Sequence, residues 1–232
     1  MPLKDKKIIV TGGPTREWLD PVRFISNPSS GKMGICLAQE ASGRAGETVF
    51  IHGPIDTSLL RDMPFRSVAV ESTSDLLEAV VREITPETVL VMAAAPGDYA
   101  PDKKSPVKIK KDEGEMVLRL KKNPDILKTI SAMRETTFSL RNLFLVGFAA
   151  ETNDVEEYAR RKLSEKKLEM ICVNDVSRKD SGFGTDTNII TIFFKSGQKI
   201  ELPLLKKEEV AVRILDIVEE ELGRINVSLL TE

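Results

Sequence analysis

Two stretches, Thr11-Gly12-Gly13-Pro14 and Ser29-Ser30-Gly31-Lys32-Met33-Gly34, place glycines and small hydroxyl residues where an anion could be held. The first follows the apolar run Ile8-Ile9-Val10, which reads as a short buried strand. The second stands where a helix should start, after a loop from Thr15 to Pro28. Free N–H groups of a first helical turn, together with the positive end of the helix dipole, face whatever sits beside them. The pattern is neither common phosphate fingerprint. Ser26 and Met33 stand where a P-loop needs glycine and a hydroxyl residue, and Gly12-Gly13-Pro14 is not Gly-x-Gly-x-x-Gly. An ordinary strand-to-helix loop, capped by Ser29 or Ser30, accounts for the same residues, although a loop this long is more often functional.

Other candidate groups lie at further strand ends. Ala93-Ala94-Ala95-Pro96-Gly97-Asp98 follows an apolar run and would let a ligand approach the backbone, with Asp98 as a carboxylate at the mouth. Asn123-Pro124-Asp125-Ile126, Phe148 to Asn153 and Asn174-Asp175 close equivalent turns. Lys108, Lys162, Lys166 and Asn27 are the donors; Lys162 and Lys166 are four apart on a predicted helix and share a face. Each has a plainer reading: Asp98 a turn residue, Asn123 a cap, the lysines solvated surface charges. The only histidine, His52, ends a predicted strand, and Cys36 and Cys172 sit in apolar segments as free thiols. With no crevice histidine, nucleophilic cysteine or carboxylate pair, the set suits chemistry driven by positioning and charge neutralisation, such as nucleotidyl or phosphoryl transfer.

The elements that must position these groups alternate. Strands are predicted at 8–10, 48–51, 67–70, 88–92, 143–148 and 170–173, and helices at 31–45 (stopped by Gly46), 72–83, from 123, 153–167 and 206–223. Asn123 is the expected N-cap of the third helix, with Pro124 first in it, and Asn153 with Glu156 caps the fourth. Runs 107–111 and 116–121 flank Asp112-Glu113-Gly114-Glu115 as a β-hairpin, an insertion of about residues 106–121 that could serve as a flap or dimer arm. Residues 189–194 and 199–202 form a C-terminal antiparallel hairpin. This is an α/β chain, one doubly wound, Rossmann-like, mostly parallel sheet in a single domain spanning 1–232. Strands 8–10 and 89–92 should be neighbours, their carboxyl ends opening on one crevice.

Composition narrows the class. The chain has 232 residues, 34 Lys plus Arg against 36 Asp plus Glu, a net charge of −2 and 41% hydrophobic residues. That balance argues against a dedicated nucleic-acid binder. No apolar run reaches the roughly 18 residues of a membrane span, and residues 1–7 lack the apolar core of a signal peptide. Free cysteines fit a reducing, cytoplasmic setting.

Asp20-Pro21-Val22-Arg23-Phe24-Ile25-Ser26-Asn27-Pro28-Ser29-Ser30-Gly31-Lys32-Met33-Gly34 resembles the signature of phosphopantothenate–cysteine ligase. The similarity continues through Ala93 to Tyr99, Lys108 to Lys111, Lys122 to Ile126, Val146 to Thr152 and Cys172 to Val176, in the family's order. The combination is specific where any single block is not. One departure is Pro96-Gly97, where the family more often has Val-Ala; the glycine is expected to loosen that turn. The resemblance implies a reaction of coenzyme A biosynthesis. The carboxylate of phosphopantothenate attacks the α-phosphate of CTP, or of ATP in eukaryotic relatives, and the cysteine amine then displaces the nucleotide from the acyl-nucleotidate. By position it implies that Asn27 holds the acyl intermediate, and that Ala94 and Asp98 join it at the acid substrate. Gly12, Gly13, Ser30, Gly31 and Gly34 cradle phosphates, and Lys108, on a mobile hairpin, neutralises departing pyrophosphate. Ala93, Ala94, Ala95, Asp98, Asn123, Pro124, Asp125, Ile126, Phe148, Lys162, Lys166 and Asn174 form the nucleotide site. It also implies magnesium with unread protein ligands, no flavin, and a homodimer. The bacterial ligase is usually fused behind a flavin-dependent decarboxylase, for which this chain has no room, so a stand-alone ligase is expected.

Two other classes share the pattern: a nicotinamide-dependent reductase, weakened by the missing glycine fingerprint, and a non-catalytic nucleotide-binding protein, in which Lys108 is only solvated.

Overall fold

The computed structural model describes residues 3–110, 114–151, 154–175, 182 and 184–229. Strand β1 (Lys7–Gly12) is buried along nearly its whole length, as a central parallel strand requires. The antiparallel strands β2 (Arg16–Trp18) and β3 (Phe24–Ser26) lead to helix α1 (Lys32–Ser42). Then come β4 (Glu47–His52), β5 (Arg66–Ala69), α2 (Thr73–Glu83) and β6 (Thr88–Met92). Next are the paired strands β7 (Tyr99–Pro101) and β8 (Leu120–Lys122), α3 (Ile126–Thr136), β9 (Phe144–Glu151), α4 (Val155–Glu165) and β10 (Met170–Asp175). The chain closes with β11 (Thr187–Asn188), β12 (Ile190–Phe194), β13 (Lys199–Glu201), β14 (Leu205–Lys206) and α5 (Lys207–Leu229).

The main sheet runs β13-β12-β10-β9-β6-β1-β4-β5. From β10 to β5 all pairings are parallel; β12 and β13 join at the edge as an antiparallel hairpin. The order reverses between β1 and β6, whose register pairs Ile8 with Val89 and Thr11 with Met92. A crevice opens at the carboxyl ends of such a strand pair, because the following connections leave toward opposite faces. Alternate residues of β1 feed two cores. Ile8 and Val10 pack with α1 and α5 on one face, and Ile9 packs with α2, α3 and α4 on the other.

The β1–α1 contact depends on two glycines. A Cβ on Gly34 would lie 2.8 Å from Gly12 Cα and 2.9 Å from the Thr11 carbonyl oxygen, backbone atoms that cannot swing aside. Gly34→Ala is therefore expected to cost about 1–3 kcal/mol through overpacking. Urea denaturation checks this; an unchanged midpoint would show that the helix can move away freely.

Glu83 ties three elements together. Arg66 of β5 bonds it at 2.5 Å and Lys7 of β1 at 2.9 Å. Those hydrogen bonds, Arg66's foremost, bring its carboxyl from its ordinary 4.5 down to about 2. A depressed folded-state pKa contributes stability above the unfolded value and loses it as pH falls. Glu83→Gln should therefore flatten the acid loss of stability between pH 4.5 and about 2. Denaturation midpoints for wild type and variant across that window test this, and parallel slopes would refute it.

Several expectations are corrected. The span 15–28 is not an open loop but the β2–β3 hairpin. Its turn is held by Asp20, whose Oδ1 accepts from the N–H groups of Val22 at 2.7 Å and Arg23 at 2.9 Å. Strands of three residues carry no readable period. The insertion is antiparallel at its base, where β7 pairs with β8 and the Asp102 N–H donates to the Arg119 carbonyl. Residues 107–110 and 114–119 are not strands, so the expected pairing of 107–111 with 116–121 is not what builds the arm. Val107 and Val117, the latter 89% exposed, find no opposing sheet to pack on. Helix α1 ends at Ser42 with Gly43 as its C-cap, and the Gly46 N–H instead donates to the Lys6 carbonyl. Helix α5 runs on to Leu229. The expected cap Asn153 lies outside the described residues, and Asp154 stands at the N-cap position of α4. Among the described residues no helix is long and apolar enough to cross a membrane.

Candidate active site

The carboxyl ends of β1 and β6 are laced together. The Ala95 N–H donates to the Gly13 carbonyl at 2.9 Å, the Ala94 N–H to Thr11 Oγ1 at 3.1 Å, and the Gly97 N–H to Thr15 Oγ1 at 2.9 Å. Asn27 completes the clasp, its Nδ2 donating to the carbonyls of Ala95 at 3.1 Å and Pro96 at 3.0 Å. Gly97 does not loosen the turn. Its N–H is taken by Thr15 and its carbonyl accepts from Asn123 Nδ2 at 2.8 Å, so both ends of the residue are held.

Behind this turn lies a carboxylate that sequence reading passed over. Glu17 is buried, and its Oε1 accepts from the Thr73 N–H at 2.9 Å, Thr73 Oγ1 at 2.7 Å and Thr15 Oγ1 at 3.1 Å. It satisfies donors at the start of α2, which already carries a capping box between Ser72 and Asp75. No motif announces this role, since the contact joins residues 56 apart in sequence.

In front of the turn lies a cavity of ≈ 410 Å³. Its lining brings together Asn27, Ser30, Gly31, Gly34, Ala93, Ala94, Ala95, Asp98, Asn123, Pro124, Asp125, Ile126, Phe148, Lys162, Lys166 and Asn174. Gly12, Gly13 and Lys108 are not among the lining residues. Gly12 serves the β1–α1 contact, and Gly13 turns the chain with φ +77°. Gly31, at φ +79°, is the N-cap of α1 and makes no side-chain cap, so the first N–H groups of that helix are left to the cavity. Asn123 does not cap α3. Asp125 does, accepting from the Lys128 N–H at 3.1 Å. Pro124 thus lies outside the helix, and Asn123 is released to hold Gly97. Asp125 also pairs with Lys166 at 2.9 Å, which brings the α4 cation onto the α3 N-terminus.

Lys108 is exposed, yet its position is set. The next residue, Ile109, donates its N–H to Asp20 Oδ2 at 3.0 Å and accepts from Arg23 Nη2 at 2.9 Å through its carbonyl. The buried Asp20 carboxyl is held below its ordinary range: burial opposes ionisation, and the N–H groups of Ile109, Val22 and Arg23 outweigh it. The Asp20-Pro21-Val22-Arg23 stretch therefore anchors the lysine-bearing segment.

The cysteines are poor nucleophiles. Burial pushes the Cys36 thiol up to about 11 and raises Cys172 as well. His52 is buried against the Gly53 carbonyl and stacked on Phe50. Among the described residues no cluster of three metal-ligating side chains occurs. The arrangement can bind anions, orient a carbonyl and balance charge. Among the lining residues, Thr73, Asn188 and Lys207 had no site role in the sequence reading. The last two sit on or beside the short β11–β14 pair, too brief to read from periodicity.

A family model for the DNA/pantothenate metabolism flavoprotein C-terminal domain matches residues 3–222. The chain belongs to that family. The chain is 42% identical over 214 residues to the coenzyme A biosynthesis bifunctional protein CoaBC of Bacillus subtilis (strain 168), covering 92% of the chain and 51% of that protein. It is 40% identical over 218 residues to CoaBC of Escherichia coli (strain K12), covering 92% and 52%. The chain spans about half the length of the curated relatives it matches. A crystal structure of the C-terminal domain of CoaBC superposes with a TM-score of 0.76 at 40% identity, covering 96% of this chain and 98% of that one. A DNA/pantothenate metabolism flavoprotein from Streptococcus pneumoniae shares the fold at 24% identity, with a TM-score of 0.72 over 93% of this chain and 99% of that one. The resemblance read from the motif blocks is thus borne out at the level of the family.

Proposed function

We propose that this domain joins phosphopantothenate to cysteine at the expense of a nucleoside triphosphate, CTP rather than ATP, in coenzyme A biosynthesis. One observation carries the reading. One cavity at the β1–β6 reversal gathers Asn27, the first turn of α1 with no side-chain cap, and Lys162 with Lys166. Family membership points the same way.

In this reading a carboxylate oxygen attacks the α-phosphorus and the bond to pyrophosphate breaks. The cysteine amine then attacks the acyl carbon, loses a proton, and the nucleoside monophosphate departs. Ser30, Gly31 and Gly34 face the phosphates, with Gly12 and Gly13 shaping the turn behind them. Ala93 to Ala95, Asn123 to Ile126, Phe148, Lys162, Lys166 and Asn174 surround the nucleotide. Asn27, Ala94 and Asp98 meet the acid substrate. Magnesium neutralises phosphate charge in such reactions. Asp98 is the lining carboxylate that pairs with no lysine among the described residues, and phosphate and water oxygens would supply most of the coordination. A homodimer belongs to the same reading, with Val107, Met116 and Val117 supplying exposed apolar surface on the arm.

The test is pyrophosphate release with phosphopantothenate and Mg²⁺, comparing CTP with ATP, with and without cysteine. Release that requires phosphopantothenate and becomes multiple-turnover with cysteine is the expected result. No release with either nucleotide would sink the proposal.

A further inference from the structure

Lys207, the first residue of α5, lines the cavity yet is only 4% exposed. Its ammonium donates to the carbonyl of Gly182 at 3.3 Å and to that of Thr185. Among the described residues no carboxylate lies within ion-pair distance of it. Asp186, whose backbone carbonyl accepts the Lys207 N–H at 3.0 Å, has its carboxylate committed to Lys32 at 2.6 Å. The two carbonyl dipoles take two of the three ammonium hydrogens and do not cancel the charge. A buried ammonium without a counter-charge is costly, and a bound anion would offset that cost. Burial first, and then the Lys32 charge, hold its pKa below the ordinary lysine value; Cys36, Asp186 and Glu208 oppose this.

Contacts from α1, β10 and β11 hold the wall beside it. Helices α1 and α5 share one core. Asn188 Nδ2 contacts Met33 Sδ at 3.3 Å, and Asn174 Nδ2 donates to Asn188 Oδ1 at 3.3 Å. Lys207 therefore shares one side of the cavity with residues Gly31 to Gly34 of the α1 N-terminus, whereas Lys162 and Lys166 come from α4 on the other face of the sheet.

We propose that Lys207 is an anion-binding residue of this cavity, its ammonium and the α1 N-terminus together receiving a phosphate or polyphosphate group of a substrate. This rests on the reading of the cavity as a site for a nucleoside triphosphate and a phosphorylated acid. Either could supply the group.

Calorimetric titration of the intact chain with CTP, inorganic tripolyphosphate and phosphopantothenate separates the sources. Loss of a charged donor should weaken binding in Lys207→Gln by about tenfold or more, and Lys207→Arg should restore it to within about threefold of wild type. Losses for CTP and tripolyphosphate assign the triphosphate; a loss confined to phosphopantothenate assigns its phosphate monoester. Kd values within about twofold of wild type for all three ligands, or equal losses in the Gln and Arg variants, would overturn the proposal. If the Gln variant does not fold, ¹⁵N-lysine spectra of wild type decide, with the Lys207 signal assigned by its absence from the Arg variant. A signal that stays put with tripolyphosphate and with phosphopantothenate refutes it. These readouts need no turnover. A chain that binds these anions through Lys207 but forms no amide would keep this inference and lose only the reaction.

Discussion

Lys108→Gln is expected to lower kcat by about 10²–10³ while leaving the fold intact, the loss typical of removing one donor that stabilises developing charge. The physical case combines two facts. The side chain is exposed and makes no ion pair among the described residues, so its removal leaves no buried partner unsatisfied. Its backbone neighbour Ile109 is nonetheless bracketed by Asp20 and Arg23, which come from the same stretch that leads to Asn27 and α1. An exposed lysine whose position is fixed by a buried carboxylate suits a charge that acts on a ligand better than one that merely solvates an arm. Steady-state kinetics beside a thermal melt would test this. Near-normal turnover in a folded variant would make Lys108 a bystander.

Asn27→Ala should impair amide formation by a comparable factor, about 10²–10³, and leave nucleotide affinity nearly unchanged. The structure sharpens the reason. The amide nitrogen of Asn27 has two hydrogens, and both point at carbonyl oxygens, those of Ala95 and Pro96. For Asn27 to polarise an acyl oxygen, one of these bonds must be exchanged for the substrate. The side chain thus holds the β6 turn in register and carries a donor that a ligand can recruit. Alanine removes both functions at the turn after β6, whereas Lys162 lies on α4 and Lys166 is its C-cap. Single-turnover release of pyrophosphate, compared with amide formation and with the CTP Kd, would separate the two effects. Equal losses of nucleotide affinity and turnover would remove Asn27 from the acyl site.

The long buried strands and amphipathic helices were legible because their signal is local. Ile8 to Val10, Thr88 to Met92 and Leu143 to Phe148 are apolar runs that only a covered parallel sheet accommodates, and β1 and β6 do lie side by side. Ser72 capped α2 as its type suggests. The failures share a cause. Asn123 has a cap's chemistry, but Gly97 26 residues away claims its side chain, so Asp125 caps instead. The alternation in 107–121 has the hairpin period but no face to bury, and pairing passes to Tyr99–Pro101 instead. Strands of two or three residues, β2, β3, β11 and β14, fall below any period.

By itself the order of residues determined the α/β class, the reversal of the sheet at the first strand, and the positions of the glycine turn, Asn27 and the α4 lysines. Each follows from local burial pattern, turn chemistry or helical spacing. Only the tertiary structure decided what these groups do to one another. It committed Asn27 to two carbonyls, anchored the Lys108 segment through Asp20, buried Glu17 beneath the turn, and carried Lys207 to the cavity wall from the far end of the chain. These long-range hydrogen bonds of Glu17, Asn27 and Asp20 join residues 56 to 89 positions apart, and their energies depend on desolvation and alignment, which exist only once the sheet has closed around them.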